Sequence, residues 1–178
     1  MGAGRATAWR FSMTIDRILV PIDFSECSGV AFDYAVDLAR KLGAKVTLLH
    51  VWDVPFLWPS AGDTMVTVPA EQPMTVAQLV KRRASEEIQR FVTDYPHDGV
   101  EVLARLEMGD PVRVICTVAE DGGHDLIVMG THGRTGVSRV LAGSVTENVV
   151  RHSKTPVLTV RAPEGPKAVK DVVAATSG

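Results

Sequence analysis

The chain of 178 residues lacks the cysteine and histidine patterns of disulfide-rich and zinc-binding proteins. Its two cysteines, Cys27 and Cys116, form no CxxC pair, and its five histidines form no HExxH motif or other spacing typical of metal ligands. We therefore expect two free thiols in a reducing, cytoplasmic setting. We expect neither a disulfide framework nor a protein-bound zinc ion.

Long apolar runs and an excess of basic charge are also missing. No hydrophobic stretch approaches the ~20 residues that span a bilayer, and residues 1–15 carry arginine without the apolar core of a secretory signal. The formal net charge is -2, so we expect no general affinity for nucleic acid or for anionic membranes. Any anion site must therefore be local.

The apolar residues follow a pattern of strands alternating with amphipathic helices. Arg17–Ile22 is a β-branched apolar run that predicts a strand, and Ser25 is a typical N-cap for a helix that Gly43 would end. Lys45–Trp52 predicts a second strand that is apolar over most of its length. Strands with continuous hydrophobicity are buried on both faces, which is typical of parallel sheets covered by helices.

The rest of the chain continues the alternation after one interruption. Residues 53–73 include four prolines and predict a long loop. The later predicted elements are a helix over Thr75–Tyr95, a strand over Val100–Met108 near the edge of the sheet, a helix that starts at Asp110-Pro111, a strand over Asp125–Met129, a helix that starts at Ser144 and a strand over Thr155–Val160.

This alternation predicts an α/β fold, namely a doubly wound, five-stranded parallel sheet with helices on both faces and the Rossmann-like strand order 3-2-1-4-5. Residues 16–161 form the predicted domain, between a flexible extension (1–15) and a disordered tail (162–178). In that strand order Asp23 and Gly130 follow neighbouring strands. Both would flank the crevice at the carboxyl edge of the sheet.

The segment from Gly130 to Thr146 contains no Asp or Glu and is rich in glycine. Gly130 and Gly133 come directly off a strand, and Gly143 precedes a helix start. Glycine lets backbone N–H groups approach a ligand, and a helix N-terminus adds free N–H groups and a positive dipole end, which favours phosphate. Ordinary turns, with a capping box of Ser144 and Glu147, are the alternative.

Other nucleotide and nucleophile motifs are absent: no GxxxxGK[ST], no GxGxxG after the first strand and no GxSxG occurs. In our interpretation the amides of Gly130–Gly136 and of Ser144–Thr146 hold phosphates, assisted by the hydroxyls of Ser144 and Thr146. Asp23 suits a ribose hydroxyl or an exocyclic amine, because an ionised carboxylate only accepts hydrogen bonds. The backbone near Val51 could meet a base edge, with Ile22 and Met129 as apolar cover.

Residues Asp16–Arg161 resemble a universal stress protein domain. The similarity lies in VPIDFS at 20–25, LHV at 49–51, DLIVMG at 125–130 and the spacing G-x2-G-x9-G-[S/T], which is similar to that of the ATP-binding branch of this adenine nucleotide alpha hydrolase-like family. The resemblance implies an ATP pocket, with or without Mg²⁺, formed by Pro21, Asp23, Val51, Met129, Gly130, Thr131, His132, Gly133, Arg134, Thr135, Gly136, Gly143, Ser144, Val145 and Thr146.

The resemblance also implies a homodimer in which the fifth strands, Pro156–Val160, pair across a two-fold axis. The function it implies is an ATP-dependent sensor or switch of the stress response, with regulatory protein partners. Two alternatives stay open: a slow ATPase or autophosphorylating enzyme, and a nucleotide-free dimeric interaction module. No convincing general base is visible, since His132 is at least as well suited to donate to a phosphate.

Overall fold

The computed structural model describes residues 14–52, 63–67, 72–131 and 144–161. The predicted N-terminal extension, the C-terminal tail, most of the glycine loop and part of residues 53–73 lie outside these ranges. The elements are β1 (Arg17–Ile22), α1 (Glu26–Leu42), β2 (Lys45–Trp52), β3 (Met65–Val66), β4 (Met74–Thr75), α2 (Val76–Asp94), β5 (Val102–Met108), α3 (Pro111–Asp121), β6 (Leu126–Gly130), α4 (Ser144–His152) and β7 (Val157–Val160).

Five of the strands form one parallel sheet in the order β5-β2-β1-β6-β7. Counted along the chain within this sheet, the order is 3-2-1-4-5, so the predicted doubly wound α/β fold is confirmed. The chain winds outward from β1 to β5 and then returns to the other side of β1. The switch point therefore lies between β1 and β6.

Two apolar clusters lie on opposite faces of the sheet. Ile18 and Val20 of β1 pack with α1 and α2, whereas Leu19 packs with α3 and α4. All three side chains are fully buried. Continuous hydrophobicity in the central strands thus has the predicted cause, which is a layer of helices on each face.

Helix ends follow the side chains that the sequence offers. Ser25 caps α1 by accepting a hydrogen bond from the Ser28 amide, and Gly43 ends it with a φ of 73°. Asp110 caps α3 in the same way ahead of Pro111. The predicted start and stop residues of these helices are confirmed.

Some predicted boundaries are wrong. The predicted loop over 53–73 contains β3, which pairs with β4 in a small antiparallel sheet; its prolines had suggested only a loop, but none lies within either strand. Helix α2 begins one residue late, because Thr75 is its N-cap. The strands predicted from Val100 and Thr155 begin two residues later. Within the described residues, no helix is long and apolar enough to cross a membrane.

Candidate functional site

The sheet opens between β1 and β6 before either strand ends. Their pairing stops at Leu19 and Ile127, although β1 continues to Ile22 and β6 to Gly130. The proline at position 21 explains this. The Asp16 carbonyl oxygen accepts a hydrogen bond from the Lys45 amide of β2, and the Arg17 carbonyl oxygen accepts one from the Asp125 amide just before β6. Successive residues of β1 therefore face β2 and β6 in turn. Pro21 faces β6 and has no N–H to donate there.

Gly130 ends β6 in close contact with α1. A Cβ at this position would lie 2.8 Å from the carbonyl oxygen of Cys27 and 3.0 Å from its carbonyl carbon. Helix and strand can approach this closely only because residue 130 has no side chain. The sequence pattern assigned this glycine to ligand approach, but helix packing is a sufficient reason for it.

Two hydrogen bonds occupy groups that were predicted to hold phosphate. The Thr131 amide donates to the Val160 carbonyl oxygen at 2.9 Å and so extends the sheet towards β7. The Thr146 hydroxyl donates to the Gly130 carbonyl oxygen, also at 2.9 Å. The second bond fixes the first turn of α4 beside the end of β6, which brings Gly130 and Thr146 together.

Asp23 directly follows β1, and its carboxylate is bound to the first turn of α1. Its Oδ1 accepts from the Ser25 amide at 3.1 Å, from the Ser25 hydroxyl at 2.6 Å and from the Ser28 hydroxyl. In return the Asp23 amide donates to Ser28 Oγ at 3.0 Å. We call Asp23, Ser25 and Ser28 the serine–aspartate cluster. Sequence reasoning identified Ser25 only as a cap and missed Ser28, although the D-x-S-x-x-S spacing was visible.

Phe24, between the members of this cluster, has a left-handed backbone with a φ of 61°. Within the described part of the chain it is the one non-glycine residue with positive φ. Its ring packs on His50 with a centroid distance of 4.3 Å and on Phe91 at 6.1 Å. A non-glycine residue is held in this region only by its surroundings, and such residues concentrate at functional sites.

A family model for the universal stress proteins matches residues 14–161. The chain belongs to the universal stress protein family. It is 34% identical over 150 residues to universal stress protein MJ0531 of Methanocaldococcus jannaschii, with 83% of each chain covered. It is 31% identical over 146 residues to YxiE of Bacillus subtilis, which covers 82% of this chain and 99% of YxiE.

The fold agrees with solved structures from the same family. Protein MJ0577, also from M. jannaschii, superposes with a TM-score of 0.67 at 30% identity, covering 85% of this chain and 99% of the other. The strand order of the five-stranded sheet and the helical layer on each of its faces are therefore those of a universal stress protein.

The apolar site residues of this universal stress protein divide between the two faces of the sheet. Val51, Met129 and Val145 belong to the cluster under α3 and α4, whereas Ile22 is buried in the cluster under α1 and α2. Strand alternation places Pro21 on the α3 and α4 side. Ile22 and Met129 therefore cannot both cover one base with their side chains.

The remaining predicted site residues are distributed as follows. Ser144 is the first residue of α4. Helix α1 binds Asp23 through Ser28 and also contacts Gly130 through the backbone of Cys27. Residues His132–Gly136 and Gly143 lie outside the described residues. Among the described residues no group of three or more His, Cys, Asp or Glu side chains could hold a metal ion. Participation of Mg²⁺ stays a prediction.

Proposed function

We propose that this universal stress protein binds ATP and acts as a nucleotide-dependent sensor or switch in a stress response. The observation that carries the proposal is the open edge between β1 and β6, whose pairing ends after Leu19 and Ile127. Asp23 follows one strand and Gly130 ends the other, while α4 begins beside Gly130 through its bond from Thr146. A helix N-terminus and a carboxylate thus border one crevice.

This arrangement supports a division of roles. The N-terminus of α4 offers the amides of Ser144–Thr146 and a positive dipole end to phosphate, and the glycine loop precedes it in the sequence. Val51 and Met129 lie on one face of the sheet and suit an adenine ring. Asp23 suits a ribose hydroxyl or an exocyclic amine. Mg²⁺ would then accompany the phosphates rather than occupy a site built from protein side chains.

Structures of two other family members give this proposal a wider context. One universal stress protein was solved in complex with cAMP and one from Archaeoglobus fulgidus in complex with dAMP. At 24% and 20% identity, their likeness to this chain is one of fold. The proposal for this chain therefore rests on its own crevice and glycine spacing.

The test of binding starts with the purified protein. Denaturing it should release adenine nucleotide into the supernatant, and titration with ATP after removal of that nucleotide should show one site per chain. Gly143→Glu should abolish retention, because it places bulk and negative charge beside the proposed phosphate site. Gly99→Asp is the control that also adds a negative charge, since a side chain there meets nothing within 4 Å and aspartate tolerates the φ of 79° better than most residues. Retention of ATP by a folded Gly143→Glu protein would refute the pocket.

Turnover distinguishes the sensor from the alternative of a slow ATPase or autophosphorylating enzyme. Labelled ATP should remain intact over many binding lifetimes if the protein is a sensor. Hydrolysis that is lost in Asp23→Ala or His132→Ala, with binding retained, would instead favour the enzyme. If the protein does not bind ATP at all, the remaining hypothesis is the nucleotide-free dimeric interaction module.

We also propose that the protein is a cytoplasmic homodimer that pairs through the outer edge of Pro156–Val160. The described edge strand β7 carries no charged residue, and its Val157, Leu158 and Val160 side chains are half-buried in the single chain. The other edge, β5, carries the ion pair Arg105–Glu107. Charged side chains on an edge strand oppose strand pairing, so β7 is the better edge for a second copy. Regulatory protein partners would bind elsewhere on this dimer.

A further inference from the structure

Ser28 is a buried polar side chain that the proposed nucleotide contacts do not use. Its exposed fraction is 6%, and it is the one polar side chain in the buried set of the described residues. We infer that Ser28 is a positioning residue for the ribose: it holds the Asp23 carboxylate in the orientation that accepts hydrogen bonds from the ribose hydroxyls. This inference rests on the proposed ATP binding.

The hydrogen bonds of Ser28 fix both the main chain and the side chain of Asp23. Its hydroxyl donates to Asp23 Oδ1 and accepts from the Asp23 amide at 3.0 Å. Ser25 adds a second hydroxyl to the same carboxylate oxygen at 2.6 Å. Because Ser28 binds both the backbone amide and the carboxylate of Asp23, it restricts the side-chain torsions of this aspartate. A carboxylate held in this way is preorganised for a ligand.

The Ser28 hydroxyl does not cap the helix. The cap of α1 is Ser25, whose hydroxyl accepts from the Ser28 amide. The Ser28 hydroxyl instead points back to the residue that leaves β1. The left-handed backbone of Phe24 between them requires such a restraint, because this conformation is unfavourable for a residue with a side chain.

The ribose is the group that Asp23 is best placed to contact. An ionised carboxylate accepts hydrogen bonds but cannot donate them, and the two ribose hydroxyls can donate. The backbone amides proposed to bind the phosphates are themselves donors, so they cannot accept hydrogen bonds from these hydroxyls. The base edge can be met by strand β2, where Val51 lies on the same face as Met129. Asp23 follows β1, which lies between β2 and β6 in the sheet, and α4 starts beside the end of β6. The sugar would occupy the same intermediate position between base and phosphates.

The experiment compares the affinities of the full-length protein for ATP, 2′,3′-dideoxy-ATP and ITP, the last of which lacks the exocyclic amine. Wild-type protein should bind ATP about tenfold or more tightly than the dideoxy analogue, as expected for a charged hydrogen bond. We call the affinity for ATP divided by the affinity for dideoxy-ATP the ribose ratio. Ser28→Ala should reduce it to about threefold or less. The affinity for dideoxy-ATP should stay within about twofold of wild type, because that analogue makes no ribose contact.

Two further variants separate positioning from stability. Val46→Ala removes a fully buried side chain at the amino end of β2, far along the strand from the crevice, so it should lower the melting temperature and leave the ribose ratio unchanged. Ser28→Cys is nearly isosteric, but its thiol is a weak donor and acceptor. It should also lower the ratio, and it replaces Ser28→Ala if that variant does not fold.

Each outcome decides the inference. A collapsed ribose ratio in the Ser28 variants, with the ratio kept in Val46→Ala, supports it. An unchanged ratio in both Ser28 variants overturns it while ATP binding stands. A ratio near one in wild type, or a Ser28 effect on the ATP-to-ITP ratio alone, overturns it by showing that Asp23 does not contact the ribose. No ATP binding by wild type overturns the proposed function and this inference with it.

Discussion

Gly130 shows how a single residue serves packing at the edge of the candidate functional site. An added Cβ would lie 2.8 Å from the Cys27 carbonyl oxygen, which is backbone and cannot rotate away. At Gly99 an added Cβ meets nothing within 4 Å, and only the φ of 79° is unfavourable. The two glycines are therefore required for different reasons.

We predict that Gly130→Ala destabilises the fold by about 1–3 kcal/mol, the range for overpacking a tight contact. Gly130→Val should destabilise more, because α1 must move further. Urea unfolding at constant m-value measures both changes. Gly99→Asn is the control and should stay near wild type, since asparagine tolerates a left-handed backbone. Wild-type stability in Gly130→Ala would contradict the close approach of α1 and β6.

His124 is the residue through which pH should act on stability. Its Nδ1–H donates to the Val118 carbonyl oxygen at 3.1 Å, so in the neutral ring Nε2 accepts from the Thr47 hydroxyl at 3.0 Å. Burial lowers the pKa of His124, and the charges of Arg17 and Arg105 lower it further, against the hydrogen bonds to the backbone. The folded protein therefore holds His124 neutral below the usual pKa of about 6.5.

We predict that His124 makes the protein less stable as the pH falls below about 6.5, because the unfolded chain then takes up a proton that the folded chain resists. Above that value this contribution is fully present. His124→Gln keeps an amide donor and acceptor but cannot titrate. Melting temperatures measured between pH 7 and pH 5 should fall less steeply in this variant than in wild type. Parallel curves would show that His124 is not the titrating group.

At the scale of elements, α1 and α2 fit together through Gly29. A Cβ on Gly29 would lie 1.9 Å from the Tyr95 hydroxyl oxygen and 2.5 Å from its Cζ. Tyr95 caps the end of α2, and its ring stacks on Phe91 at 4.5 Å. The glycine within α1 therefore leaves room for the aromatic ring that ends the neighbouring helix.

We predict that Gly29→Ala destabilises wild type although alanine favours a helix by about 1 kcal/mol over glycine. Displacement of the Tyr95 ring should outweigh that gain. In a Tyr95→Ala background the sign should reverse, and Gly29→Ala should stabilise by up to about 1 kcal/mol. A Tyr95→Phe background is the control, because Cζ and Cε1 remain and the destabilisation should persist. Thermal or urea unfolding of the double-mutant cycle decides between these signs.

At the scale of the whole molecule, the parallel sheet has two edges with different character. The carbonyl oxygens of Pro156 and Val160 accept hydrogen bonds from the Ile127 and Thr131 amides, so alternate residues of this edge segment face β6. The amides of Val157 and Thr159 therefore face outward. They are the groups that a second copy would use in the proposed homodimer.

We predict that Thr159→Pro converts the dimer to a monomer, since it removes an outward amide and leaves the bonds to β6 in place. Thr159→Ala keeps the amide and should stay dimeric. Light scattering coupled to size exclusion, at several protein concentrations, measures both masses. A dimeric and folded Thr159→Pro protein would place the interface elsewhere.

Local residue patterns were sufficient to predict most of the fold. Continuous apolar runs predicted the buried strands, and Ser25, Gly43 and Asp110 predicted the helix ends, because capping depends on near neighbours in the chain. The short pair β3 and β4 was missed, since pairing of two-residue strands depends on partners rather than on a local pattern. The family followed from motifs spread over the same elements.

The sequence by itself determined the alternation of strands and helices, the position of Asp23 after β1 and the acid-free glycine segment, because each depends on residues close together in the chain. Only the tertiary structure decided what these residues contact. Gly130 faces the backbone of Cys27, Thr146 donates to Gly130, and Ser28 holds Asp23. These contacts depend on how helices settle on the sheet, which no local pattern encodes.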